Sequence, residues 1–342
     1  MKKTFILILL LNLCVQFYAQ NKLSSKDSID TFYNQLFKNL KTSYLYKNDV
    51  NWKGVITETN QNLSKYDNFN SSLSEIEPLF NKIGATHCII YYKDKVYSSS
   101  IKSINEKLSD EWEKAYASKP SFKTKVINNE FGYILIPKII FSDISEKNVH
   151  RIAQPLYDEI VDLKSKNNLK GWIIDLRFNT GGNSWPMLLA LYDFLGNNDI
   201  NGSLNIDKKQ INKIKLDKGV YYNNSKKVSY ITPHGQLLDQ AKVAVITSAA
   251  TGSSGEIVAL SFKGRANTIF IGQETFGATT GNIKSSLPFG SYMALTTSYD
   301  CDRNGNYYKT ISPDIVILKE DNFENLLLDK NIQEAIKYIT RV

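Results

Sequence analysis

Two glycine-bearing turns hold the residues best suited to chemistry, and each lies between a predicted strand and a predicted helix. DLRFNTGGN occupies 175–183 and TSAATGSSGE occupies 247–256. Such turns line the crevice at the carboxyl ends of parallel strands, where ligands bind. Glycine allows a substrate backbone to come close, and helix amides favour developing negative charge. Neither turn has the glycine and lysine pattern of a phosphate-binding loop, so a nucleotide site lacks its main support.

Ser253 and Ser254 begin the helix that is predicted to follow the second turn. Ser253, with Glu256 three residues later, fits a capping box, which is a structural role. The same serine suits a nucleophile, with amides of Gly181, Gly182 and Ser254 as the oxyanion hole. The two roles are compatible, and the second one requires a base.

The chain has three histidines, so each can be weighed as that base. His150 lies in a helix rich in Lys and Glu and is expected on its solvated face. His234 follows Pro233 in a turn and is expected to shape a loop. His87, in IGATHCIIYY, stands where a helical region passes into an apolar strand. Its context alone leaves both a catalytic and a structural role open.

The apolar pattern predicts the elements that position these residues. Helices are predicted at 28–45, 73–83, 110–118, about 146–167 with an interruption or a new start at Pro155, 186–195 and after Asp329 as N-cap. Buried strands are predicted at 132–139, 171–178, 242–248 and 268–272. The alternation predicts an α/β fold with a mostly parallel sheet. Residues 197–238 form a polar insertion with short alternating runs, which we interpret as a small β-rich cap.

The first twenty residues, MKKTFILILLLNLCVQFYAQ, are typical of a secretory signal peptide. A lipid anchor on Cys14 is the alternative, but Leu13 stands where such anchors have a small residue. We therefore predict an exported protein, periplasmic or extracellular, without a transmembrane segment. The mature chain keeps Cys88 and Cys301, either as one disulfide or as buried thiols.

The charge balance argues against nucleic acid as a partner. The chain has 42 Lys and Arg against 34 Asp and Glu, a net charge of +8, which falls to +6 when the leader with Lys2 and Lys3 is removed. The lysines are scattered rather than clustered, which is typical of a solvated surface.

Four ordered motifs resemble those of the C-terminal-processing (tail-specific) serine peptidases. They are GWIIDLRFNTGGNSWPML, VAVITSAATGSSGEIVALSFKGR, GQETFGATTGN and SPDIVI. The resemblance spans about 75–340 and is strongest to the branch with the nisin-resistance and tricorn-like peptidases. It implies a crotonase-like peptidase core at 87–342 with the cap insertion at about 197–238. A signal peptide at 1–20 and an N-terminal helical region at 21–86 precede that core.

The resemblance also implies roles for single residues. The nucleophile corresponds to Ser253, and Ala278 stands where the Ser–Lys members have their lysine base. The other branch uses a histidine from before the core, and IGATHC places His87 there. Cys88 is not expected to be the nucleophile beside His87, because adjacent strand residues point to opposite faces.

The acid that orients or supports this pair is left open. Glu256 and Glu274 are the first candidates, and Asp300, Asp302 and Asp314 are further ones. DCDRNGN at 300–306 resembles the start of a calcium loop, but Ile311 takes the twelfth position where a glutamate is needed. A β-turn is therefore expected there, and no metal or other cofactor is predicted.

The expected function is a secreted or periplasmic serine endopeptidase that cleaves peptides or unstructured protein tails. One alternative is a catalytically inactive relative that binds peptides, which the missing lysine at Ala278 supports. Another is an esterase-type hydrolase with the same Ser–His pair, although the GxSxG elbow is absent.

Overall fold

The computed structural model describes residues 24–100 and 104–341. The chain divides into two units: one holds the chain to residue 101 with 282–296, and the other holds 102–281 and 297–342. The signal peptide predicted at 1–20 lies outside the described residues. Across the described ranges, no helix is both long and apolar enough to cross a membrane. The domain boundaries drawn from the sequence stay predictions.

The first unit begins with helices that pack around a shared apolar core. They are α1 (Ser25–Ser43), α2 (Trp52–Leu63), α3 (Phe69–Ser72) and α4 (Ile76–Lys82), with 3-10 turns at Lys47–Asp49 and Leu73–Glu75. The Ser24 side chain accepts the Asp27 N–H, which starts α1 three residues before the predicted position. The predicted stripe that includes Tyr33, Phe37 and Leu40 is buried. The helical character predicted for this region is confirmed.

The same unit continues into a small antiparallel sheet. Strands β1 (Ile89–Tyr92) and β2 (Lys95–Ser98) form a hairpin, and β1 also pairs with residues 292–294. His87 lies in the turn that directly precedes β1. The position predicted for this histidine, at the passage from helix to strand, is confirmed.

The second unit contains a six-stranded sheet. Its strands are β3 (Lys123–Ile127), β4 (Phe131–Leu135), β5 (Gly171–Asp175), β10 (Val243–Thr247), β11 (Thr268–Gly272) and β14 (Ile315–Val316). Their order is β14-β11-β10-β5-β4-β3, and every neighbouring pair is parallel except β3 and β4. The predicted mostly parallel sheet is confirmed, and β5 lies beside β10, so the turns that follow them are neighbours.

Helices cover the apolar side chains of this sheet. They are α5 (Asp110–Ala117), α6 (Glu146–Lys166), α7 (Ser184–Ala190), α8 (Tyr192–Leu195), α9 (Ser254–Phe262) and α10 (Lys330–Thr340), with a 3-10 turn at Asn105–Lys107. Asp329 accepts the N–H groups of Asn331 and Ile332, which confirms it as the N-cap of α10.

The expected interruption at Pro155 is wrong, because α6 runs through it for 21 residues. Proline removes one backbone donor and disfavours a helix interior. The buried face of α6, with Val149, Ala153, Tyr157 and Ile160, packs in the core of this unit. We attribute the continuity of the helix to that burial, which outweighs the local cost of proline.

The insertion at 197–238 consists mainly of antiparallel strands. They are β6 (Asp199–Leu204), β7 (Gln210–Asp217), β8 (Val220–Asn223) and β9 (Lys226–Tyr230), each paired with the next. Strand β12 is Thr280–Ser286, and β13 is Tyr292–Asp302, whose residues 299–302 pair with β6. The β-rich character is as predicted, and the role of a cap stays a prediction.

Candidate active site

The two glycine turns lie against each other within the second unit. The Thr251 hydroxyl donates to the Leu176 carbonyl at 2.9 Å, and the Gly252 N–H donates to the Asn179 carbonyl at 3.0 Å. The Ser254 hydroxyl donates to the Gly182 carbonyl. These bonds join the turn after β5 to the turn after β10, as the parallel pairing of the two strands requires.

Gly181 and Gly182 have backbone conformations that favour glycine. Their φ angles are +128° and +107°, in the region that side chains disfavour. A Cβ on Gly182 would lie 2.1 Å from the Ile139 carbonyl oxygen. A Cβ on Gly181 would lie 3.8 Å from Ser253 Oγ, so the Gly181 backbone passes directly beside this serine. The structure thus places Gly181 beside Ser253, and the role of both glycines in one site with this serine stays a prediction.

Ser253 is held in a strained backbone conformation at the start of α9. Its φ is 51° and its ψ is −114°, which is rare for a residue with a side chain. Such a conformation costs of order 1–3 kcal/mol and is typical of functional turns. The residue is partly exposed, whereas its neighbours Gly252 and Ser254 are buried. Ser254 is the first residue of the helix, where backbone amides lack carbonyl partners from a preceding turn.

Glu256 ties Ser253 to the loop after β11. Its carboxylate accepts the Ser253 N–H at 2.9 Å and the Thr275 hydroxyl at 2.6 Å. It also accepts the N–H groups of Gly277 and Ala278 at 2.8 and 2.7 Å. Burial raises the pKa of Glu256 to about 7, although these four hydrogen bonds oppose the shift. The sequence indicated only the cap, because the loop partners lie about twenty positions away.

A buried methyl group occupies the position at which the Ser–Lys members have their lysine. Ala278 is 7% exposed, and its N–H donates to Glu256. A lysine side chain at this position would start beside Glu256, the carboxylate that accepts the N–H groups of both Ser253 and residue 278. The departure from the Ser–Lys pattern therefore falls within the same cluster of contacts.

The other predicted acid, Glu274, lies apart from these contacts. It is exposed and accepts the hydroxyls of Thr310 and Ser312 at 2.6 and 3.4 Å. It borders a cavity of about 530 Å³ whose lining includes Ala249, Gln273, Pro313, Val316 and Leu318. None of these hydrogen-bond partners of Glu274 is among the four partners of Glu256 named above.

Of the three aspartates left open, two have structural partners. Asp302 accepts the N–H groups of Asn304 and Asn306, both at 2.9 Å, as expected for a turn. Asp314 accepts the Phe270 N–H at 2.8 Å. Asp300 is buried, and within the described residues its Oδ2 has no hydrogen-bond partner. Burial, and then the charge of Glu256, raise the pKa of Asp300 to about 7.

The histidines differ from the expectations in one case. His150 is partly buried rather than solvated, because its ring stacks on Tyr230 with centroids 4.3 Å apart. His234 takes part in a loop as expected, and its N–H donates to the Tyr157 hydroxyl at 3.2 Å. His87 belongs to the first unit, where it is partly buried and its carbonyl accepts Asn282 Nδ2–H at 3.0 Å. Cys88 and Cys301 are both buried free thiols.

The glycine turn after β5 contains a buried arginine that the sequence did not indicate as a functional residue. Arg177 forms ion pairs with Asp175, Asp321 and Asp329 at 2.6 to 2.7 Å. Burial lowers the pKa of Arg177, but the charges of Asp175 and Asp329 outweigh it and hold the pKa well above the usual value. The position of Arg177 within the apolar run GWIIDLRF could have indicated a buried arginine. The sequence could not indicate its partners Asp321 and Asp329, which are far away along the chain.

Comparison with known proteins agrees with the motifs. Residues 130–317 match the profile of Peptidase family S41. The nisin-resistance protein of Lactococcus lactis subsp. lactis is 28% identical over 282 residues, which are 81% of this chain and 80% of that protein. A carboxy-terminal-processing protease of Bartonella bacilliformis is 27% identical over 165 residues, 46% of this chain and 34% of the relative. The resemblance that the motifs predicted is confirmed.

Two solved structures share the fold over nearly the whole chain. The structure of a lipoprotein from Streptococcus agalactiae matches with a TM-score of 0.65 at 22% identity. The match covers 93% of this chain and 97% of the lipoprotein chain. A structure from Parabacteroides merdae ATCC 43184 has a TM-score of 0.59 at 17% identity, with coverages of 94% and 98%. At these identities the likeness concerns the fold alone.

Proposed function

Because the chain belongs to peptidase family S41, we propose that it is a serine peptidase with Ser253 as nucleophile and His87 as general base. The observation that carries the proposal is the conformation of Ser253. A partly exposed serine with a φ of 51° stands at the start of a helix and beside the positive-φ Gly181. Sharp, strained turns of this kind present a serine oxygen to substrate in hydrolases.

The proposed reaction is acyl transfer in two halves. His87 takes the hydroxyl proton of Ser253 while Oγ attacks the scissile carbonyl carbon, and the carbon–nitrogen bond then breaks as His87 protonates the leaving amine. Water, deprotonated by His87, attacks the acyl-enzyme and releases Ser253. Amides of Gly181, Gly182 and Ser254 are the proposed donors to the oxyanion.

Glu256 is proposed as a structural acid of this site and not as the orienter of His87. All four of its bonds go to the Ser253 turn or to the loop at 275–278. Glu274 is proposed to have no part in the reaction, since its partners are the Thr310 and Ser312 hydroxyls.

The proposed substrates are peptides and unstructured protein tails, met after export of the chain from the cytoplasm. The β-rich insertion supports this, because Asn201 of β6 donates to the Ser261 hydroxyl of α9 at 2.7 Å. Ser261 lies near the C-terminal end of the helix that begins after Ser253, so this bond fastens the insertion to that helix. That the insertion also covers Ser253 and restricts access to slender chains is part of the proposal.

Labelling with a fluorophosphonate tests the proposal directly. The mature protein should be labelled, Ser253→Ala should abolish labelling, and Ser165→Ala, at an exposed serine of α6, should retain it. His87→Ala should reduce both labelling and peptide hydrolysis by several orders of magnitude with little change in Tm, whereas His150→Ala should leave both reactions intact. An unlabelled wild-type protein would favour the inactive peptide-binding alternative. Labelling that persists in Ser253→Ala would refute the assignment of the nucleophile.

A further inference from the structure

A chain of hydrogen bonds in the first unit reaches the backbone of His87. The segment 282–296 enters this unit at Asn282 and leaves it at Thr296. Both end residues bond to the pair formed by His87 and Cys88, which are about 200 positions away in sequence. The segment is therefore fastened at its two ends to the turn that carries the proposed base.

The distances define a continuous chain of donors and acceptors. The Cys88 thiol donates to Thr296 Oγ1 at 3.6 Å, and Thr296 Oγ1 donates to Asn282 Oδ1 at 2.8 Å. Asn282 Nδ2 donates to the His87 carbonyl at 3.0 Å. The Thr296 N–H also donates to Cys88 Sγ at 3.5 Å, so two hydrogen bonds join Cys88 and Thr296.

The direction of this chain is fixed by chemistry. A backbone carbonyl only accepts, so the Asn282 amide must turn its NH2 group toward His87 and its oxygen toward Thr296. The hydroxyl of Thr296 must then donate to that oxygen, which leaves its lone pairs for the Cys88 thiol. Burial raises the pKa of Cys88, so the thiol keeps the proton that it donates.

We propose that Asn282 and Thr296 are positioning residues for His87, which hold the turn from which the imidazole projects. The inference rests on the proposed role of His87 as base. Thr296 is 2% exposed and is held further by the Leu45 N–H, which donates to its carbonyl at 2.9 Å. The Thr296 end of this series of hydrogen bonds is thus buried, and the exposed Asn282 connects it to the His87 carbonyl. A displacement of about 1 Å in a reacting group can cost about 100-fold in rate.

Matched substitutions separate positioning from general stability. Thr296→Val keeps the shape and loses the hydroxyl, and Thr296→Ser keeps the hydroxyl. Asn282→Asp keeps the size and turns an acceptor toward the His87 carbonyl. We expect Thr296→Val and Asn282→Asp to lower kcat for peptide hydrolysis by about 10- to 100-fold with little change in KM. Thr296→Ser should restore most of the activity.

Asn39→Asp is the control for loosening of the same segment. Asn39 Nδ2 donates to Ser285 Oγ at 2.9 Å and to the Ser286 carbonyl at 3.0 Å, but its bonds do not involve His87. This variant should keep its kcat. Because Asn282 is exposed, Asn282→Asp should fold even if Thr296→Val is too unstable to assay.

The outcomes distinguish the two proposals. If His87→Ala keeps wild-type turnover, the proposed function itself is wrong. If His87→Ala is inactive while Asn282→Asp and any Thr296→Val that folds turn over like the wild type, only the positioning role is wrong. An equal loss of kcat in Asn39→Asp and Asn282→Asp would also overturn it, because the effect would then belong to the segment as a whole.

Discussion

At the scale of single residues, the number of hydrogen bonds that Glu256 can accept matters more than its size. Its four partners are three backbone N–H groups and the Thr275 hydroxyl, and all of them donate to it. Each carboxylate oxygen accepts two of these bonds. A neutral amide of the same shape offers one oxygen and one NH2 group, so it cannot accept from the N–H donors on both sides.

We expect Glu256→Gln to destabilise the protein by about 2–4 kcal/mol, because at least one backbone donor loses its acceptor in a buried place. The Ser253 turn should lose its geometry as well, so the rate of fluorophosphonate labelling should fall. Urea unfolding and labelling kinetics measure the two effects. The exposed Glu274→Gln is the control and should change neither. Wild-type labelling and stability in Glu256→Gln would show that Glu256 is only an ordinary helix cap.

The same residues show what a sequence can and cannot reveal. Ser253 and the glycine pair were predicted because a strand, a glycine turn and a helix start are local patterns. The bonds of Glu256 to Thr275, Gly277 and Ala278 depend on how the loop after β11 folds back. No local sequence pattern indicates these contacts with the loop, so the sequence indicated only a capping role for Glu256.

At the scale of elements, Arg177 joins the turn after β5 to the start of α10. Its guanidinium pairs with Asp329, which is also the N-cap of α10, and with Asp175 at the end of β5. The Arg177 carbonyl accepts the Trp112 indole N–H at 2.9 Å. One buried cation thus compensates several carboxylates and fixes the turn that bears Gly181.

We expect Arg177→Met to destabilise the protein by about 3–5 kcal/mol, because the buried carboxylates of Asp175 and Asp329 lose their countercharge. Arg177→Lys should fall between this variant and the wild type, since one ammonium group cannot reach all three aspartates. The exposed Lys166, paired with Asp162, provides the control, and Lys166→Ala should cost less than about 1 kcal/mol. Urea unfolding measures all three, and equal losses for Arg177→Met and Lys166→Ala would contradict the argument.

The elements themselves were largely predictable, and the errors have physical causes. The parallel strands and the helix after Asp329 follow apolar spacing, which burial enforces. The rule for proline failed at Pro155, because the apolar face of α6 holds the helix together. The partners Asp321 and Asp329 lie 144 and 152 positions from Arg177, so no sequence pattern could have joined them.

Strand β13 and helix α9 each contribute one buried acid with a raised pKa, Asp300 and Glu256. Burial and the charge of Glu256 raise the pKa of Asp300 from 3.8 to about 7. The folded state therefore holds this proton more tightly than the unfolded state does. Its contribution to stability is fully present below about pH 4 and is lost as the pH rises through about 7.

We expect the wild type to lose stability between pH 5 and pH 8 and Asp300→Asn to lose less. A raised pKa of this size is worth up to about 4 kcal/mol over the full range. Urea unfolding at both pH values measures the change, with the exposed Asp207→Asn as control. A profile of Asp300→Asn as steep as that of the wild type would exclude a titrating Asp300.

At the scale of the whole molecule, the proposed cap and the charge together define the substrates we expect. The chain without its predicted leader has a net charge of +6, which attracts acidic segments, repels cationic ones and leaves neutral ones unaffected. The same charge argues against strongly cationic antimicrobial peptides as preferred substrates. A groove roofed by the strands of 197–238 would admit an extended segment and exclude a folded body.

We therefore expect cleavage of unstructured tails and short peptides and survival of folded domains. A folded body must open locally before it can enter such a groove, and an opening that costs about 3 kcal/mol lowers the rate about 100-fold. A folded protein with a disordered tail, incubated with the enzyme and analysed by intact mass, tests this in one tube. The tail should shorten while the body persists, and Ser253→Ala should leave both intact.

A parallel digest of a peptide library should show faster cleavage of neutral and acidic members than of cationic ones. Loss of the folded body at the rate of the tail would contradict the roofed groove, whereas cleavage that persists with Ser253→Ala would reveal a contaminating protease.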